Sequence, residues 1–166
     1  MKLLKMSAVL AASLVTVAAH AVTKDIEVSA VIDPALELVT INNRPLPSNM
    51  RMEFSFANGL LPASIPMAVR SNDTTTDIRM TVAEDVNLVA TNNTTAKPIA
   101  LEVTYADKSV GTTPTVFPAK ELFGEDGNAT GFAKLVIKAK GVTKDAAAGE
   151  YIGTVRLVVT QEVGTF

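Results

Sequence analysis

The chain has 166 residues, 15 of them basic and 17 acidic, with 48% hydrophobic residues and no cysteine or tryptophan. A net charge of −2 leaves no basic surplus to neutralise phosphates, which argues against a nucleic-acid partner. His20 is the only histidine and lies in a removable leader, so His- or Cys-based catalysis and N/S-ligand metal sites are excluded from the mature chain, and no cofactor or metal is expected.

The N-terminus reads as an export signal. Lys2 and Lys5 form a positive start, residues 8–18 a short apolar core, and Ala19-His20-Ala21 an A-x-A site that places cleavage between Ala21 and Val22. The apolar run is half the ~20 residues a spanning helix needs, which makes a membrane anchor the weaker reading. The paired lysines point to a bacterial export route. Removal of residues 1–21 leaves 145 residues with 13 basic and 17 acidic side chains, a net charge of −4. That length fits one domain with its own core. Many exported domains of this size use disulfides. Without cysteine, this one depends on packing, assembly or a tightly held partner strand.

Residues 22–34, VTKDIEVSAVIDP, open the mature chain. Val22, Ile26, Val28, Ala30 and Ile32 alternate with Thr23, Asp25, Glu27, Ser29 and Asp33, with Lys24 and Val31 out of pattern. Period two places the apolar set on one face of an extended strand. Such a strand needs an apolar groove. On alternation alone it is either the first strand of its own domain or a strand offered to another copy.

Beyond Pro34, short alternating runs are separated by turn-rich pieces, an all-β pattern. Residues 35–41 form an apolar run, and residues 42–49 a loop with Pro45 and Pro47. Met50, Met52, Phe54 and Phe56 alternate with polar residues and read as a half-buried strand, closed by Asn58-Gly59. Residues 65–70 are a further strand, with Pro66 placing its start at an edge or bulge. Residues 71–76 read as a loop. Ile78, Met80 and Val82 alternate next, then a short strand over residues 86–90, then Ile99, Leu101, Val103 and Tyr105. Residues 107–115 read as a loop, and residues 119–123 as either a helical turn or a strand. Residues 124–131 are a glycine-rich turn, followed by alternating Leu135, Ile137 and Ala139. After a loop over residues 143–149, Tyr151, Gly153, Val155, Leu157 and Val159 form one face of a last long strand. The spacing suggests a β-sandwich of immunoglobulin type.

Lys134, Lys138, Lys140 and Lys144 make a basic stripe. It reads as a solvated strand face, with an acidic glycan or a neighbouring subunit as the sharper alternative. The N-x-[ST] triplets beginning at Asn72, Asn92 and Asn128 read as turns rather than glycosylation sites. Glu125-Asp126 lacks the oxygen ligands of a calcium loop. Adjacent strand residues such as Glu84 and Asp85 point to opposite faces, which weakens a paired-carboxylate reading.

Two stretches carry a family resemblance. One is Lys24-Asp25-Ile26-Glu27-Val28 through Asp33-Pro34. The other is Ala148-Gly149-Glu150-Tyr151-Ile152-Gly153-Thr154-Val155-Arg156-Leu157-Val158. They resemble the donor segment and the closing strand of the major pilins of the alternate, or class 5, chaperone–usher pathway, the colonisation-factor type of fimbria. Leu46-Pro47-Ser48 and Asn72-Asp73 add short matches, and the middle of the chain is only loosely similar.

The resemblance implies an all-β fold, an incomplete immunoglobulin-like β-sandwich completed by a donor strand from another subunit. It divides the chain into a signal peptide (1–21), a donor-strand extension (22–34) and a pilin domain (35–166). It implies that Val22, Ile26, Val28, Ala30 and Ile32 enter a neighbour's groove, one edge of which carries Tyr151, Gly153, Val155, Leu157 and Val159. The implied partners are further copies of the chain, a periplasmic chaperone, an outer-membrane usher, a tip adhesin and a host receptor. Twelve extended residues span about 40 Å, the length of a sandwich domain. An unfilled groove exposes apolar surface and unpaired edges, which explains the need for a chaperone. The expected function is a non-enzymatic structural subunit of a surface fimbria that supports adhesion. The rivals are an immunoglobulin-like adhesin domain that binds glycan or protein directly, and a periplasmic hydrolase using a carboxylate pair.

Overall fold

The computed structural model describes residues 35–124 and 130–161. The expected cleavage residues Ala19, Ala21 and Val22, and the expected donor residues Val22, Ile26, Val28, Ala30 and Ile32, lie outside the described residues.

Period-two alternation is realised most directly in three strands. β5 (Ile78–Val82) buries Ile78, Met80 and Val82 and exposes Arg79. β7 (Ile99–Tyr105) buries Leu101, Val103 and Tyr105. β10 (Thr130–Ala139) buries Leu135 and Ile137 while Lys134 and Lys138 face solvent. In the larger sheet, β1 (Leu36–Thr40), β4 (Ala63–Ser71), β10, β7, β6 (Asn87–Ala90) and β11 (Tyr151–Ile152) lie in that order, with β8 (Lys108–Val110) attached to β7. The smaller sheet has the order β12 (Leu157–Gln161), β5, β9 (Thr115–Phe117). β2 (Phe54–Ser55) and β3 (Gly59–Leu60) form a separate hairpin. Every pairing is antiparallel.

The core lies between the sheets. Met67, Val69, Leu135, Ile137, Leu101, Val103 and Tyr105 meet Ile78, Met80, Val82 and Phe117. The short helix α1 (Ala119–Phe123) adds Ala119, Leu122 and Phe123. Full burial of such an aliphatic or aromatic side chain contributes about 1.5–3 kcal/mol. Tyr105 meets the Phe117 ring edge-on, with centroids 5.4 Å apart, and its hydroxyl donates to the Met67 carbonyl at 3.3 Å. Burial pushes the Tyr105 phenol up to about 12, opposed in part by a main-chain hydrogen bond with Val69. The result is an all-β, incomplete immunoglobulin-like sandwich.

Three stretches differ from the sequence reading. Met50 and Met52 are half-buried against the core, but the chain there is irregular, and only Phe54 and Ser55 pair, with Leu60 and Gly59. The hairpin turns at Gly59 (φ 77°), and Phe56 in the turn is 95% exposed. Residues 107–115 contain β8, because Ala106 and Asp107 both take positive φ (48° and 60°) and form a hairpin turn without glycine. Residues 119–123, read as either a helical turn or a strand, are helical and so do not differ. The C-terminal run is not one strand: β11 pairs with β6 in the larger sheet, and β12 pairs with β5 in the smaller one. Pro66 sits in mid-strand, one residue beyond the last β1 partner, Met67, so its missing N–H faces no second strand there.

Candidate functional site

β1 and β12 are the terminal strands of the two sheets, and they approach each other. Each carries apolar residues at alternate positions. Leu36 and Leu38 of β1 are half-buried against the core, with Glu37 turned outward toward Arg70 at 3.5 Å. Leu157 and Val159 of β12 are half-buried, opposite Val82 and Met80, while Thr160 is exposed. Among the described residues no strand pairs with the outer edge of β12. Among the described residues the outer edge of β1 is met near its end, by a bridge from Val39 to Pro45 and by Thr40 N–H donating to the Arg44 carbonyl at 2.8 Å. The space between the two edges, the β1–β12 cleft, is flanked by half-buried apolar side chains and by main-chain groups that no strand pairs among the described residues, the features that strand addition uses.

One end of this cleft is closed by polar side chains. The Ser71 hydroxyl, 4% exposed, donates to Gln161 Oε1 at 2.7 Å and accepts from Asp73 N–H at 3.0 Å. Gln161 Nε2 donates to the carbonyls of Asp73 (2.6 Å) and Thr76 (2.9 Å). The Asp73 carboxylate accepts from Thr75 N–H and from the Thr75 and Thr76 hydroxyls at 2.7–2.9 Å, and these bonds hold it below the usual carboxylate range. Asn72 Oδ1 accepts from Ala35 N–H at 2.7 Å, at the point where β1 begins.

The residues expected to line one edge of a groove separate into two groups. Leu157 and Val159 reach the cleft on β12, and Val155 is half-buried against the same core in the crossover before it. Tyr151 and Gly153 do not reach it. Tyr151 pairs with Ala90 at the far edge of the larger sheet, its hydroxyl donating to the Ala147 carbonyl at 2.9 Å. Gly153 lies against the main chain of Asn87. The sequence reading missed Leu36, Leu38, Ser71 and Gln161 as parts of this site. Alternation in residues 35–41 signalled the first two; nothing in the sequence marks a serine and a glutamine ninety positions apart as partners.

Two cavities lie elsewhere. One, of about 400 Å³, is lined by Phe54, Phe56, Leu60, Ile99, Tyr151 and the chain from Lys144 to Gly149. The Phe54 and Phe56 rings meet edge-on at 5.6 Å. The other, about 50 Å³, has Asp85, Glu102 and Lys140 on its wall. It is well below the ~300 Å³ at which small-molecule sites begin, and Glu102 is ion-paired with Lys138 at 3.6 Å. The lysine stripe is divided: Lys144 borders the aromatic cavity, Lys140 the small one, and Lys138 is engaged by Glu102.

Comparison with known proteins gives a consistent result. Residues 22–160 match the model of a family described as CS1 type fimbrial major subunit. The chain is 32% identical over 152 residues to a CFA/I fimbrial subunit of Escherichia coli, covering 88% of this chain and 89% of that protein. It is 31% identical over 159 residues to a CS1 fimbrial subunit of Escherichia coli, covering 92% of each. Among solved structures, the CooA pilin subunit from enterotoxigenic Escherichia coli superposes with a TM-score of 0.67 at 23% identity, covering 79% of this chain and 90% of that one, which supports the fold.

Proposed function

Because the chain belongs to the family of CS1-type fimbrial major subunits, we propose that it polymerises by donor-strand exchange, each copy laying residues 22–33 into the β1–β12 cleft of its neighbour. Its role is structural: copies of the chain build the shaft of a surface fimbria that supports adhesion. It is not an enzyme. One observation supports the mechanism: two edge strands, one from each sheet, come near each other with half-buried apolar side chains at alternate positions, and among the described residues their outer edges are largely unpaired. The alternating Ile26, Val28, Ala30 and Ile32 supply the complementary face. Until exchange, a periplasmic chaperone covers the cleft, and an outer-membrane usher presents the next subunit. A tip adhesin and a host receptor complete the set of partners. Among the described residues no helix is long and apolar enough to cross a membrane. Within the family, the chain resembles the major pilin of the cable pili of Burkholderia; the relatives reported above support the family, not that finer placement.

The test is a pair of substitutions on opposite faces. Val28→Asp or Ile32→Asp has to desolvate a carboxylate in an apolar groove, and abolishes surface fibres while leaving chaperone-bound subunit in the periplasm. Glu27→Lys or Ser29→Asp is far milder. Loss of the chaperone complex as well places the segment in the subunit's own core. Equal tolerance on both faces rules out a buried donor strand.

The aromatic cavity favours a second reading, direct binding of a host glycan or protein through the shaft. Phe54→Ser with Phe56→Ser then leaves fibre length unchanged and lowers adhesion of fimbriated cells; unchanged adhesion removes this reading.

A further inference from the structure

We propose that Gln161, acting with Ser71 and the loop over residues 71–76, is a positioning clasp that holds the facing ends of β1 and β12 at a fixed spacing, so that the cleft is ready for an incoming strand. The inference rests on the donor-strand reading. Among the described residues no main-chain ladder joins β1 to β12 directly; at this end Leu36 is laddered to Ser71 of β4 and Gln161 to Ile78 of β5, and the loop between β4 and β5 connects them, so the side chains that brace this loop help to set the spacing. The loop grips both strands. It holds the start of β1 through Asn72 and Ala35, and the end of β12 through Gln161. Gln161 uses its carbonyl oxygen and both directions of its amide nitrogen, accepting one hydrogen bond and donating two. The reversed amide would face two carbonyls with its own oxygen, so the orientation is fixed. The loop is itself stiffened by the Asp73 carboxylate, which ties down Thr75 and Thr76.

The physical need is clear. Without a strut, the half-buried Leu36 and Leu38 lower their free energy by closing onto Leu157 and Val159. A collapsed cleft must reopen before a strand can enter. A clasp removes that step by preorganisation. It acts on the rate of strand entry more than on the stability of the filled subunit, whose two new ladders then hold the edges apart. Gln161 and Ser71 are thus positioning residues, not contacts of the donor.

The test uses the full mature chain, released from fibres in guanidinium and refolded by dilution with excess fluorescent peptide of residues 22–33. Anisotropy gives the uptake rate, and thermal unfolding gives the stability of the filled subunit. Gln161→Leu removes three side-chain hydrogen bonds and Ser71→Ala two, and each is expected to slow uptake about ten-fold or more. The melting point of the filled subunit stays within about 4 °C of wild type, the scale of a 1 kcal/mol change in a domain of this size. Ser71→Thr keeps the hydroxyl and restores the wild-type rate. Wild-type uptake by Gln161→Leu overturns the clasp. So does a parallel fall in uptake and melting point with no rescue by Ser71→Thr, or a failure of both Gln161→Leu and Ser71→Ala to refold, since each makes the network a plain stability element. If the wild-type chain itself takes up no peptide, the donor-strand reading fails first and the clasp with it.

Discussion

Gly153 crosses the main chain of Asn87 so closely that a Cβ would overlap the Asn87 carbonyl oxygen, with the carbonyl carbon 3.1 Å away. This contact lies where the chain leaves the larger sheet after β11 and passes toward β12 in the smaller one. The family-like Gly-x-Tyr-x-Gly run therefore serves a change of sheet, and its last glycine is required by space. Gly153→Ala forces the crossover away from β6 and is expected to cost about 1–3 kcal/mol, as overpacking does. Equilibrium unfolding of peptide-filled subunit checks it. A loss under 0.5 kcal/mol means the two segments can separate freely.

Thr143 holds the β2–β3 hairpin in place. It is 6% exposed, and its hydroxyl accepts from Leu60 N–H at 2.8 Å. Gly59 lies against the same hydroxyl, leaving no room for a larger residue at a position with φ 77°. Thr143→Val keeps the shape, removes the acceptor, and strands the Leu60 N–H, at a cost of about 1–3 kcal/mol. Because the hairpin carries Phe54 and lies beside Phe56, the same variant is expected to loosen the aromatic cavity, seen as faster amide exchange at Leu60.

Tyr105 gives the sandwich an alkaline limit. Its folded-state value is raised to about 12, whereas an exposed phenol titrates near 10. Above pH 10 the unfolded chain releases this proton while the folded chain keeps it. The stabilisation is complete below about pH 10 and declines as the pH rises through about 12. Tyr105→Phe removes this dependence, at the expense of the hydrogen bond to Met67. Unfolding midpoints from pH 9 to 12 should fall for the wild type and run flatter for the variant.

Strands buried on one face were legible in the sequence. Ile78–Val82 and the Leu101–Tyr105 part of β7 alternate without interruption and bury the residues that period two assigns. The run from Met50 to Phe56 alternates just as well, yet only two of its residues pair. Alternation reports a preference for two faces and says nothing about whether a partner strand is within reach. β8 escaped notice because its turn uses Ala106 and Asp107 in place of an Asn-Gly signal. The C-terminal run misled for a different reason: a strand that changes sheets keeps its parity, so Tyr151 and Leu157 share a pattern while lying at opposite edges of the fold. Of the cleft, its apolar walls could be read from residue order, but its polar closure by Ser71 and Gln161 depends on tertiary folding alone.

The central claim is that the β1–β12 cleft of one copy is filled by residues 22–33 of the next. Cryo-electron microscopy of the assembled fibre tests it most directly. The account predicts a continuous strand from the neighbouring copy between Leu36–Leu38 and Leu157–Gln161, with Ile26, Val28, Ala30 and Ile32 facing the core and Glu27 and Ser29 facing away. A fibre whose cleft is filled by its own residues 22–33, or whose copies join through any other surface, contradicts it.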